Sequence, residues 1–101
     1  MTGNCDKGLE TLKGLLDTRS FADEAIQTIG RLGADAKTLV PNLKMHLDSP
    51  EPVRRENAIW ALGDIGKEAA PVIPRLEKMS ESDKDAGIRG LARIRIQMIK
   101  E

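Results

Sequence analysis

Apolar residues return along this chain at spacings of three and four, with charged and polar residues between them. Phe21, Ala22, Ala25, Ile26, Ile29 and Leu32 mark one face of a helix, and Leu39, Val40, Leu43 and Leu47 mark a second, shorter one. The order then recurs: Val53, Ala58, Ile59, Leu62 and Ile65, followed by Val72, Ile73, Leu76 and Met79. A leading stripe of Leu9, Leu12, Leu15 and Leu16 precedes these pairs. A trailing one of Ile88, Leu91, Ala92, Ile94, Met98 and Ile99 follows them.

The punctuation agrees with the periodicity. Ser20 is a candidate N-cap, with Asp23 and Glu24 in the first turn, where the helix dipole favours acids. Gly33 and Gly66 close the first helix of each pair, because glycine tolerates positive φ after a C-cap. Pro52 suits the first turn of its helix. Pro41 must lie near a helix start, since deeper inside it would lose a hydrogen bond and clash. Pro71 and Pro74 together imply a late or irregular start for the second helix of the second pair.

Sliding the chain by 33 places Ala25–Lys44 over Ala58–Glu77, with seven of twenty positions identical. Gly30/Gly63, Gly33/Gly66 and Pro41/Pro74 coincide along with Ala25/Ala58, Ile26/Ile59, Ala36/Ala69 and Leu43/Leu76. Such self-similarity is the signature of a stacked-repeat architecture. The expected layout is one domain over 1–101: a half repeat at 6–18, repeats at 20–48 and 51–80, and a half repeat at 84–100. The fold class is an all-α, short right-handed α-solenoid of about five helices. Gly30 and Gly63 fall inside helices, where glycine costs roughly 1 kcal/mol against Ala. Close approach of a neighbouring helix is the expected compensation.

This pattern resembles the HEAT-repeat family, in particular its short bacterial form, related to the HEAT-like repeats of phycobiliprotein chromophore lyases. The resemblance rests on Asp48, Val53, Arg54, Ala58, the run Ala61-Leu62-Gly63-Asp64-Ile65-Gly66, and Glu68-Ala69-Ala70-Pro71. The first unit departs at its start, where Phe21 and Ala22 stand near the Val-Arg position and the linker is two residues shorter. The last helix carries Arg93-Ile94-Arg95-Ile96 where Ala-Leu-Gly would stand. The resemblance implies a helical stack whose Arg54 and Arg55 pair with acids of a neighbouring repeat. Asp48, Glu51 and Glu56 are the candidate partners.

Composition narrows the function classes. The 101 residues hold 16 basic and 16 acidic side chains, and only Phe21 and Trp60 are aromatic. Zero net charge argues against general nucleic-acid binding. The scarcity of aromatics argues against base stacking and against most β folds. No apolar run approaches the ~20 residues that span a membrane, and the first residues do not resemble a signal peptide. One cysteine, Cys5, excludes an internal disulfide, so the expected compartment is the cytoplasm. The balance is uneven along the chain. Lys84, Arg89, Arg93, Arg95 and Lys100 against Asp85 and Glu101 give the last 18 residues a net +3, leaving −3 for the rest.

No catalytic constellation stands out. One histidine, His46, and one cysteine, Cys5, are too few for a zinc site, and nothing in the sequence positions them as a nucleophile–base pair. The acids in Glu81-Ser82-Asp83-Lys84-Asp85 lack the glycine and terminal Glu of a calcium loop and read as a polar connection between repeats. The glycines form no phosphate loop. The expectation is a non-enzyme with no catalytic, metal or cofactor residues.

What remains is surface. The second helices of helical repeats line the binding side of the stack, which nominates Lys44, His46, Arg75 and Lys78. Trp60 stands where the sister repeat has Gln27, so it is either packed against an adjacent repeat or partly exposed as an interface anchor. Ile94 and Ile96 cannot both join the Ile88/Leu91/Met98 stripe. Arg93, Ile94, Arg95 and Ile96 are therefore candidates for a docking or self-association surface, in a fragment of a longer array or in end-to-end assembly. The expected function is a protein–protein interaction or scaffold module with a protein partner, with a homodimer as a further candidate. The alternatives are a chromophore-lyase-like accessory protein and a nucleic-acid-binding HEAT-like protein.

Overall fold

The computed structural model describes residues 2–16 and 21–100, with side chains at 8, 10–16 and 21–100. Expectations for Ser20, and for the side chains of Cys5 and Leu9, lie outside the described residues. Among the described residues there are six α-helices: α1 (Thr2–Leu16), α2 (Ala22–Leu32), α3 (Val40–His46), α4 (Pro52–Ile65), α5 (Ile73–Ser82) and α6 (Ala86–Lys100). Two 3₁₀ segments, Gly33–Leu39 and Gly66–Val72, join α2 to α3 and α4 to α5. The expected count of about five becomes six, because each full repeat supplies two helices and each half repeat one. No strand occurs among the described residues.

The first helices, α2, α4 and α6, lie side by side. In the other layer α1, α3 and α5 each pack on the first helix that follows. The two layers give the molecule its 17 Å short dimension against a 41 Å long one. One continuous core runs between them, with Ile26, Ile29, Leu43, Leu47, Ile59, Leu62, Leu76, Ile88 and Ile99 fully enclosed.

The repeat in sequence is a repeat in backbone. Gly33 (φ 58°, ψ −134°) and Gly66 (φ 78°, ψ −138°) both combine positive φ with an extended ψ. That combination is open to glycine and closed to residues with a Cβ. The chain therefore leaves each first helix through the same backbone conformation, although the Gly33 N–H donates to the Gly30 carbonyl three residues back and the Gly66 N–H to that of Leu62 four back. Pro52 opens α4, and Pro41 and Pro74 are the second residues of α3 and α5. Pro71 sits inside the second 3₁₀ segment, which is the irregular entry that two closely spaced prolines imply.

Five apolar residues expected on the buried stripes are exposed instead: Phe21, Leu32, Val53, Ile94 and Met98. Phe21 occupies the N-cap position of α2, before its first turn, and Leu32 is the last residue of that helix. Val53 lies nine residues from Leu62, two and a half turns away, and so points to the opposite side of α4. Ile96 takes the core position on α6, which turns Ile94 and Met98, each two residues away, outward.

Candidate interaction surface

Two equivalent hydrogen bonds show which positions of α4 and α6 correspond. Arg55 Nη1 donates to the carbonyl of Ser49 at 2.9 Å, and Arg89 Nη1 donates to that of Asp83 at 2.6 Å, each six residues back. The helices therefore correspond at a shift of 34, matching their starts at Pro52 and Ala86. Trp60 corresponds to Ile94, Ala61 to Arg95, and Leu62 to Ile96.

This register explains the last helix. Ala61 packs on Gly30: a Cβ added at Gly30 would lie 3.4 Å from the Ala61 Cα. Arg95 takes the equivalent place on the next repeat, where a Cβ on Gly63 would stand 2.4 Å from Arg95 Cδ. The bare surface of Gly63 lets a long side chain lie across α4. Arg95 is only 4% exposed. Its Nη1 donates to Asp64 Oδ1 at 3.2 Å and to Met98 Sδ at 3.0 Å. Its guanidinium carbon lies 3.8 Å from the centre of the Trp60 ring, a cation–π contact.

Two expectations are corrected here. Arg95 and Ile96 were nominated as docking residues, but both are buried, Arg95 by its slot on Gly63 and Ile96 by the core. Ile94, 64% exposed, stays on the surface, and Arg93 is exposed with its Nη2 donating to the Ser80 carbonyl at 3.0 Å. Trp60 combines both readings left open by the sequence: it packs on Arg95 from the adjacent helix and remains 47% exposed. On α3 and α5, Lys44 and Lys78 are exposed, and His46 and Arg75 half-buried. These four lie in the layer opposite Trp60 and Ile94, so the nominated residues form two separate surfaces.

The arginines that open α4 are tied to neighbouring repeats. Arg54 Nε donates to Asp23 at 3.3 Å and its Nη2 lies 3.4 Å from Glu51. Arg55 grips both Asp83 carboxylate oxygens, at 3.0 and 3.1 Å. Of the expected partners, Glu51 is used, Asp48 pairs with Arg75, and Glu56 makes no ion pair among the described residues. Burial pushes the Asp83 carboxyl up. The Asp85 N–H, Arg55 and Arg89 outweigh that and hold it below the ordinary value of 3.8.

A groove of about 610 Å³ runs between the 47–52 connection, α5 and residues 83–85. Its arginines, Arg55 and Arg75, are committed to Asp83 and Asp48, which leaves no free guanidinium to cradle an anion. Sequence reasoning missed the cap of α6. Asp85 Oδ1 accepts the N–H groups of Gly87 and Ile88 at 2.8 and 3.3 Å. An Asp just before an Ala-Gly-Ile-Arg run was a usable signal for it. The Arg55–Asp83 pair, 28 residues apart, had no local signal. Among the described residues, no group of three or more His, Cys, Asp or Glu could hold a metal ion. No helix there is long and apolar enough to cross a membrane.

A family model described as HEAT repeats matches residues 7–97. Among curated proteins, an "Uncharacterized phycocyanin operon protein Y" of Pseudanabaena tenuis is 31% identical over 61 residues. That stretch is 60% of this chain and 14% of the relative, so the chain spans a small part of the protein it matches. No solved structure matches.

Proposed function

Because the chain belongs to the HEAT-repeat family, we propose that it is a non-enzymatic protein–protein interaction module that binds a protein partner on its helical-repeat surface. The observation that carries this reading is the pair of large apolar side chains, Trp60 and Ile94, left open at equivalent positions of neighbouring first helices. Exposed aromatics of this kind anchor interfaces. A second face, on α3 and α5, offers Lys44, His46, Arg75 and Lys78 to a polar partner, and Arg93 flanks the first. A protein fits better than a duplex. Arg54, Arg55, Arg75 and Arg95 are all ion-paired within the chain, and no basic stripe follows the repeats. The single cysteine agrees with a cytoplasmic setting.

The test is site-specific photocrosslinking in the native cells, with the probe at Lys44, Trp60, Lys78 or Ile94 and a control at Lys67 on the second 3₁₀ segment. A discrete protein adduct at one or more of the four, absent at Lys67, is expected. Adducts at none of them remove the reading. Sedimentation across the micromolar range then separates a second copy, meeting through Ile94 and Met98, from a different protein.

A second reading, a chromophore-lyase-like accessory role, draws support from the relative whose name places it in a phycocyanin operon. It predicts a shifted absorption band when the protein is mixed with a bilin. An unchanged spectrum disposes of it.

A further inference from the structure

Between α4 and the start of α6 runs a groove of about 420 Å³ whose lining includes Glu56, Trp60, Asp85, Gly90, Leu91 and Ile94. Gly90 is its most telling member. A glycine inside a helix costs roughly 1 kcal/mol against Ala. Gly30 and Gly63 offset that cost by admitting Ala61 and Arg95. At Gly90 a Cβ would meet nothing within 4 Å. The space above it is open, walled by an aromatic and an aliphatic side chain that are both largely solvent-exposed. This arrangement lets another backbone come close, as Gly30 does for α4 inside the chain.

The charges at the groove say what kind of backbone. Glu56 and Asp85 are both exposed and neither has a cationic partner among the described residues. The same sign recurs three residues after other exposed apolar side chains: Glu24 after Phe21, Asp35 after Leu32, Asp48 after Met45 and Glu56 after Val53. A complementary helix carries an aliphatic residue with Lys or Arg three or four positions away. Among the described side chains no such face occurs. Among the described residues, none of the large exposed apolar side chains has an exposed Lys or Arg three or four positions away, because Arg95, three before Met98, is buried.

We propose that the groove between α4 and α6 receives a basic amphipathic helix of another protein, which seats an aliphatic side chain between Trp60 and Ile94, sets its backbone over Gly90 and places Lys or Arg against Glu56 and Asp85. This rests on the interaction-module reading and names its site and the chemistry of its partner.

Trp60 is the single tryptophan of the chain, so its fluorescence reports the groove directly. The probe is an Ala-based 16-residue helical peptide with Leu and Lys four apart on one face, and a twin with Glu in place of Lys. The Lys peptide is expected to shift the Trp60 emission to the blue and saturate, with the twin at least about ten-fold weaker. Gly90→Leu fills the groove and is expected to weaken the Lys peptide by at least about ten-fold, while the melting temperature holds or rises. Glu56→Lys should move the preference toward the twin. Four results overturn the proposal: no emission change with the Lys peptide, equal affinity for the twins, Gly90→Leu binding like the parent, or self-association that shifts Trp60 emission without peptide. If one of these occurs while crosslinked adducts persist at Lys44 or Lys78, the groove assignment fails and the interaction-module reading stands. Loss of adducts at every probe position would remove that reading instead.

Discussion

Where α2 crosses α4, Gly30 faces the methyl of Ala61, and Arg54 reaches an Asp23 whose side chain is 38% exposed. Where α4 crosses α6, Gly63 faces the full length of Arg95, and Arg55 holds both oxygens of an Asp83 that is 7% exposed. The glycines fall at the same place in the repeat and the ion pairs bridge the same kind of junction. What differs is how much charge is enclosed. The first crossing is close-packed aliphatic contact with a solvated ion pair on its edge. The second encloses the Asp83 carboxylate and adds a buried Arg95, and its stability depends on keeping their partners in place. A repeat can therefore keep its pattern and still change the chemistry of its contacts by one residue in the slot opposite a glycine.

The largest expected break is Arg55→Met. Removing one member of a buried pair strands the other, so about 3 kcal/mol should be lost in urea denaturation. Acid should act on the same pair. The Asp83 carboxyl is held below its ordinary 3.8, so it adds stability above that value and loses it as pH falls below 3.8 through the lower folded value. Unfolding curves between about pH 5 and 2 should show this loss in the parent and less of it in Arg55→Met.

Next comes a pair of glycine substitutions with opposite outcomes. In Gly30→Ala the new methyl meets the movable Asp64 carboxylate at 3.1 Å and Ala61 at ordinary contact distance. The gain in helix propensity should leave stability unchanged within about 0.5 kcal/mol or slightly raised. In Gly63→Ala the methyl would stand 2.4 Å from Arg95 Cδ, so Arg95 must leave its slot. A net loss of about 1–2 kcal/mol is expected. The sign should reverse in an Arg95→Ala background, where the slot is empty and alanine is a better helix former than glycine. A double-mutant cycle measures this, and an unchanged cost of Gly63→Ala in that background would show that Arg95 is not what the glycine accommodates.

This second crossing also marks where reading from sequence stops. The helices, the glycine turns at Gly33 and Gly66 and the proline entries follow from local rules, because each depends on residues within one turn of each other. Trp60 opposite Gln27 was legible as a position outside the deep core. The fate of Arg95 was not. A net +3 end and an Arg-Ile-Arg-Ile run look like an exposed basic surface, and only the 34-residue register puts Arg95 against Gly63 and Asp64. The groove at Gly90 was invisible for the same reason, since its walls come from residues some 30 positions apart.

The cap of α6 belongs to the second junction as well. Asp85→Ala removes the acceptor for the Gly87 and Ile88 N–H groups and should cost about 1 kcal/mol. Asp85→Asn, which keeps a capping oxygen, should recover most of it. Thermal melts of the two variants are the check, and equal losses would mean that the charge rather than the cap was being measured.

The smallest effect should come from the first junction. Arg54→Ala removes the contacts to Asp23 and Glu51, but those carboxylates reach water, so neither is left enclosed without a partner. The expected loss is under about 1 kcal/mol, and it should shrink further in about 0.5 M salt, because screening already weakens a solvated pair. The loss from Arg55→Met should persist at the same salt concentration, since ions do not reach an enclosed carboxylate. Measured side by side, the two arginines differ by one position in sequence and share the task of joining repeats. Equal costs, or equal salt sensitivity, would show that enclosure of the acid does not separate the two crossings and that the contrast drawn from Asp23 and Asp83 is wrong.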